Sequence, residues 1–267
     1  MNSKGIAAIA LIIGIVAGFT GGWFAPAIIP LPPSPTMVQI IQQRGYLIVG
    51  TDVPWPPFEI YNTTTSQYEG FDIDLATMVA DYLNVSVQFV DMDFDALIPA
   101  CQQGDLDMLA SAMFVTPERA EELAHSIPYI RVNEVVIVKN ASTLTISDLE
   151  DLEGYTVGVQ TGTAEDWEIQ DLIDAGFAIT RVAYPKADLL INDLVADNID
   201  CAYVDEPVLD FYKDVYNLKK ILTVLAPPTV FYCRWDSPSL MFAINKVIYT
   251  AYIDGTLDAL VEQWFGG

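Results

Sequence analysis

Apolar positions along the chain fall into short runs that alternate with longer stretches of helical spacing, from residue 46 to the C-terminus. Residues 46–50 (YLIVG) predict a strand. Residues 72–83 (DIDLATMVADYL) predict a helix, with Asp72 and Asp74 in the first turn where the helix dipole favours acids. A strand over 85–90, a helix over 94–103 and a short strand over 107–110 follow. Thr116 is the expected cap of a helix opening on Pro117, and His125 falls late in that helical pattern. The second half repeats the grammar, with strands over 135–138 and 155–159, a helix over 164–175, a strand over 177–182, a helix over 187–197 and a strand over 201–204. A helix from about Pro207, strands around 221–225 and 230–233, and helices over 239–252 and 256–265 complete the chain. Alternating strands and helices predict parallel sheets covered by helices, and the strands are too many for one sheet. The expected fold class is therefore α/β, with two doubly wound lobes.

Sheets of this kind bind ligands outside the carboxyl ends of their strands. That rule nominates the loops 51–58, 91–95, 111–119, 160–165 and 205–207.

The first 36 residues follow a different pattern. Residues 5–25 carry no charge, and roughly 20 apolar residues are enough to span a bilayer as a helix. Trp23 and Phe24 fall where aromatic rings favour the membrane interface. Ala25-Pro26-Ala27 also has the small-x-small form of a signal cleavage site, so residues 1–25 read as a transmembrane anchor or a signal segment, and their length favours the anchor. Residues 26–36 (PAIIPLPPSPT) read as a stiff proline-rich linker. Either way the rest is exported, to a periplasm or cell surface.

Charge and cysteine content narrow the chemistry. The net charge of −24, from 36 acids against 12 lysines and arginines, argues against a nucleic-acid partner. Three scattered cysteines and a single histidine, His125, do not make a zinc site or a disulfide framework, and buried free thiols are expected. No GxSxG, HExxH, GxxxxGK or GxGxxG motif occurs, so no catalytic residue, cofactor or metal ligand is nominated.

The nominated loops do carry groups suited to a zwitterion. The Arg119 guanidinium matches a carboxylate fork, and the turn through Gln160, Thr161, Gly162 and Thr163 offers amides and a hydroxyl to the same group. Asp205, after a strand, is an acceptor for an ammonium group, or simply a helix cap. Trp55 and Phe94 offer flat apolar faces. With Asp52, Ser111, Ala112, Phe114, Ala164 and Glu165 from the same loops, these form the candidate ligand-binding set. Asp52 and Glu165 are expected to face each other at the far end of the ligand and to favour a basic side chain there.

Several motifs in order resemble a known family. Gly70-Phe-Asp-Ile-Asp-Leu-Ala76, Val49-Gly-Thr-Asp52 with Pro57-Phe58-Glu59, and Asp93-Phe-Asp-Ala-Leu-Ile-Pro99 are similar to the polar amino-acid-binding solute receptors of ABC importers. Thr116-Pro-Glu-Arg119, Gly158-Val-Gln-Thr-Gly-Thr163, Asp205 before Pro207, and the closing Asp254-Gly-Thr and Trp264-Phe-Gly266 extend the match from about Ile40 to the C-terminus. The resemblance implies a periplasmic-binding-protein-like fold, with a first lobe of residues 37–133 and 229–267 and a second lobe of 134–228. Hinge strands should cross near 133–136 and 227–231. It further implies capture of an amino acid by lobe closure, with importer membrane subunits as partners. In that comparison Asp52, Trp55 and Phe94 line the ligand side chain, Arg119 grips its α-carboxylate, and Asp205 holds its ammonium. Ala112 and Phe114 depart from the family, which commonly offers Gly or Ser and a hydroxyl there. Some relatives are cyclohexadienyl dehydratases, which makes an enzyme on the same fold the alternative, with Glu59, Glu165 or Glu206 as its acid.

Overall fold

A computed structural model describes residues 34–266, so the segment predicted over 1–25 and most of the linker over 26–36 lie outside the described residues. The chain first forms α1 (Met37–Arg44), capped by the Thr36 hydroxyl and ended by Gly45 in the left-handed region. Only Ile41 in this helix is fully buried, which explains why apolar spacing does not announce it. Strand β1 (Tyr46–Thr51) follows, then a small hairpin of β2 (Ile60–Asn62) and β3 (Gln67–Glu69), and α2 (Phe71–Tyr82). Next come β4 (Ser86–Asp91), α3 (Phe94–Gln103), β5 (Met108–Leu109), α4 (Pro117–Glu122) and β6 (Ala124–His125). The second group is β7 (Glu134–Lys139), β8 (Thr156–Gln160), α5 (Ala164–Asp174), β9 (Thr180–Tyr184), α6 (Ala187–Val195), β10 (Cys201–Asp205), α7 (Glu206–Tyr216) and β11 (Leu218–Val224). The chain closes with β12 (Tyr232–Cys233), α8 (Pro238–Asp254) and α9 (Thr256–Phe265).

Two five-stranded sheets result, ordered β4-β1-β5-β12-β6 and β11-β7-β10-β8-β9, one in each lobe. Strand β1 runs parallel to β4 and β5, and β8 runs parallel to β9 and β10, as alternation with helices requires. The sheets are nevertheless mixed, which corrects the expectation of parallel sheets. Strands β12 and β7 are antiparallel to their neighbours because each enters its sheet directly from the other lobe, without a crossover helix. His125 is likewise a strand residue, paired with Tyr232, because α4 ends at Glu122 and Leu123 turns extended.

The chain passes between the sheets through residues 126–133 and 225–231. These passages pair with each other: Thr229 N–H donates to Ile130 O at 2.9 Å, and Tyr129 N–H donates to Thr229 O at 3.2 Å. The first crossing thus lies ahead of the expected 133–136. Residues from Glu134 onward are buried in the middle of the second sheet, where a valine-rich strand belongs.

Gly70 fixes the base of the first lobe. Its φ is +142°, and a Cβ there would stand 2.1 Å from Phe58 O, so only glycine fits. With the chain so turned, Asp72 N–H donates to Phe58 O at 3.0 Å. The buried Asp72 carboxylate then accepts from Ala112 N–H and Tyr129 O–H, both at 2.8 Å. The Gly70–Ala76 motif therefore holds in place the loop that follows β5.

Candidate functional site

A cavity of about 300 Å³ opens where the carboxyl ends of β1, β5, β8 and β10 face one another between the lobes. The first lobe contributes Asp52, Trp55, Phe94, Ser111, Ala112, Phe114 and Arg119. The second contributes Thr163, Ala164, Glu165 and Asp205, together with Gln160. All eleven residues of the candidate ligand-binding set line this one cavity with Gln160, whereas Glu59 and Glu206, offered as acids for the enzyme alternative, do not.

One end of the cavity collects unsatisfied charge. Arg119 is 2% exposed, and its Nη1 and Nη2 donate to the carbonyl oxygens of Phe114 (3.0 Å) and Gly162 (3.2 Å). Its Nε has no partner, and among the described residues no carboxylate forms an ion pair with it. The guanidinium sits 5.2 Å from the Phe94 ring and 4.9 Å from the Trp167 ring, which fix its plane between the lobes. Burial lowers its pKa below the ordinary value. Asp205 begins α7 without capping it, because its carboxylate instead accepts from Trp55 Nε1–H across the cleft at 2.8 Å. Its Oδ1 and the Oε1 of Glu165 are buried and unpartnered. Burial and the Glu165 charge raise Asp205 well above the ordinary carboxylate value, and burial pushes Glu165 up to about 7.

Behind this end, the Tyr203 hydroxyl touches Glu134 Oε2 at 2.9 Å and Glu168 Oε2 at 2.7 Å. One phenolic proton serves one acceptor, so one of these glutamates must carry its own proton to satisfy the other contact. Glu134, pushed up to about 10 by burial and by Glu165, is that residue.

The other end is self-satisfied. Asp52 accepts from Lys186 and from Gln160, both in the second lobe, and its N–H donates to Ser111 Oγ at 3.0 Å. Ser111 in turn donates to the buried Glu59 at 2.8 Å. Burial pushes Asp52 up to about 6 against the pull of the Lys186 ammonium, so it is ionised at neutral pH. Asp52 and Glu165 line the same cavity. The charge of Glu165, the second residue of α5, acts on Asp205 and Glu134.

Lys186 and Trp167 escaped the sequence reading. Lys186 lies in the loop after β9, a strand carboxyl end that is not among the nominated loops, and Trp167 lies within α5. Ala112 adopts a φ of +47° and places its N–H on Asp72, while Phe114 offers Arg119 a backbone carbonyl in place of the hydroxyl common in the family.

The lobes also approach closely at Gly162, where an added Cβ would stand 2.9 Å from Asp95 Cβ and φ is +80°. Gly162→Ala is therefore expected to prop the lobes apart and weaken ligand binding at least tenfold while changing the melting temperature little. Calorimetric titration beside a thermal melt checks this, and unchanged affinity would show that closure tolerates the methyl group.

The geometry is that of a two-lobed receptor with its site in the cleft. Similarity to known proteins points the same way. The chain is 28% identical over 223 residues to ABC transporter arginine-binding protein 1 of Escherichia coli (strain K12), covering 81% of this chain and 89% of that protein. Among solved structures, a mutant of ArgBP from T. maritima matches with a TM-score of 0.81 at 32% identity, covering 86% of this chain and 99% of that one. The ancestral amino acid-binding protein AncCDT-1, described as a precursor of cyclohexadienyl dehydratase, matches with a TM-score of 0.80 at 31% identity, covering 86% and 100%. Residues 47–267 match the model of the bacterial extracellular solute-binding proteins, family 3, and the chain belongs to that family.

Proposed function

We propose that this chain is the receptor of an ABC importer that captures a polar amino acid outside the cytoplasm and delivers it to the importer's membrane subunits without transforming it. Residues 37–133 and 229–267 form the first lobe, residues 134–228 the second, and closure of the lobes encloses the ligand. The uncharged run over residues 5–25 tethers the receptor to the membrane.

One observation carries the reading: Arg119 Nε, Asp205 Oδ1 and Glu165 Oε1 are buried, unpartnered and lie on one cavity. Buried polar atoms cost free energy unless they are hydrogen-bonded, and an α-carboxylate with its α-ammonium satisfies these groups together. The guanidinium and the Thr163 turn take the carboxylate, and Asp205 takes the ammonium. A thermal-shift screen against the amino acids tests this. A ligand at one hundred times its Kd adds roughly 2.7 kcal/mol of stability. A panel in which no amino acid raises the melting temperature contradicts the proposal.

Glu165 supports a second reading. A cavity carboxyl held at about 7 beside a buried guanidinium is suited to general acid catalysis. In a prephenate or arogenate dehydratase it would protonate the departing ring hydroxyl. The ring carboxylate would leave as carbon dioxide, its bonding pair passing into the new aromatic ring. Phenylpyruvate or phenylalanine formation from these substrates, abolished in Glu165→Gln, would favour this reading.

A further inference from the structure

The cavity's unpartnered polar atoms belong to Arg119, Glu165 and Asp205, all at one end. Both oxygens of Asp52, at the other end, are already engaged. Lys186 binds Oδ1 and Gln160 binds Oδ2, and Gln160 also donates to Pro185 O at 3.1 Å. The Lys186 ammonium reaches on to Asp91 Oδ1 at 3.0 Å and Met92 O at 3.3 Å, both in the first lobe. Lys186 is not itself part of the lining, but a cation supplied by the chain already meets the carboxylate that Asp52 brings to the cavity.

We propose that Lys186 sets the charge class of the ligand: it fills the cation position beside Asp52, so the site takes an amino acid with an uncharged side chain and rejects arginine and lysine. The inference rests on the cavity being an amino-acid site. A ligand cation must either share Asp52 with the ammonium or displace it. Sharing brings like charges together in a desolvated contact, and displacement breaks the contacts to Asp52, Asp91 and Met92 together. Trp55, Phe94, Phe114, Ala112 and Ala164, with the Ser111 and Thr163 hydroxyls, make up the remaining lining, which carries no charge and suits an uncharged side chain. Specificity arises here from a repulsive element, not from an added attraction. The ligand accordingly differs in charge from the arginine named for the Escherichia coli relative.

The test is calorimetric titration of the full chain and of its Lys186→Met and Lys186→Arg variants with glutamine, threonine, leucine, arginine and lysine. In the wild type an uncharged amino acid is expected to bind at least tenfold tighter than arginine or lysine. Lys186→Met is expected to shift that ratio toward the basic ligands by roughly ten- to a hundredfold, because it frees Asp52. Lys186→Arg keeps the cation and should keep the wild-type ranking, and a thermal melt of each variant shows that it folds. If Lys186 only latches the lobes, Lys186→Met weakens all ligands equally and the ratio stays put, which overturns the inference. Arginine or lysine ranking first in the wild type overturns it as well but leaves the amino-acid reading standing. Binding of none of the ligands overturns both.

Discussion

Arg119→Ala is expected to weaken amino-acid binding by roughly thirty- to several-thousand-fold, corresponding to a loss of about 2–5 kcal/mol. Among the described residues that line the cavity the guanidinium is the only cation, and its free Nε leaves a donor unused without ligand. Its other contacts are to the carbonyls of Phe114 and Gly162 and to two aromatic rings, and Tyr232 O–H continues to serve Phe114 O at 2.8 Å in the variant. Folding should therefore survive. Arg119→Lys should recover little, because an ammonium cannot reproduce the planar fork held between Phe94 and Trp167. Calorimetric titration beside a thermal melt reads both effects. A folded alanine variant that binds like the wild type would remove Arg119 from the site.

Acidity should move affinity and stability in opposite directions. Without ligand, burial holds Glu165 near 7 and Asp205 well above the carboxylate range, with Glu134, Glu168 and the Tyr203 hydroxyl packed behind them and Arg119 in front. An ammonium group at Asp205 favours the ionised carboxylates, so binding releases protons. Affinity is then expected to fall by roughly tenfold per pH unit and per proton as pH drops from 7 to 5. Stability of the ligand-free protein follows the opposite sign. Glu165 and Asp72 are raised to about 7 and Asp52 to about 6, so between the ordinary carboxylate range and these values the folded chain holds more protons than the unfolded chain. The stability they confer is complete below the unfolded pKa and is lost as pH rises through 6 to 7. A tenfold difference in proton affinity between the folded and unfolded chain corresponds to about 1.4 kcal/mol, so the gain on going from pH 8 to 5 is on the order of a few kcal/mol. Relief of self-repulsion in a chain of net charge −24 adds to it. Urea unfolding and ligand titration at pH 5, 6, 7 and 8 would show this. Affinity that stays flat, or stability that climbs with pH, would contradict the account.

What the sequence reveals about this site follows from where its residues sit. Arg119, Thr163 and Asp205 stand at helix starts in the loops that follow strands, so local patterning and the carboxyl-end rule find them together. The helices over 94–103 and 256–265 are legible residue for residue because strong apolar spacing meets Gly104 or a terminal glycine. Burial without pairing misleads instead. Phe177 and Ile179 pack into the second lobe's core, yet pairing with β8 starts only at Thr180, so the strand is displaced from its predicted place. The hairpin of β2 and β3 is polar and half-exposed, so no alternation marks it. Charge pairing across the cleft is hardest to foresee. Asp52 and Glu165 share a sign and a cavity, but only the folded backbone decides that Lys186 answers one and that the other stands beside Asp205.

The central claim is that the cavity recognises the two charges of an α-amino acid. Titrating the chain with the amino acid that stabilises it most, and then with that compound's N-acetyl and α-carboxamide derivatives, tests this most directly. N-acetylation removes the ammonium from Asp205, and amidation removes the carboxylate from Arg119. Each derivative is expected to bind at least roughly thirtyfold more weakly than the parent, the loss that follows from unpairing a buried charge. A derivative that binds as tightly as the free amino acid would contradict the account.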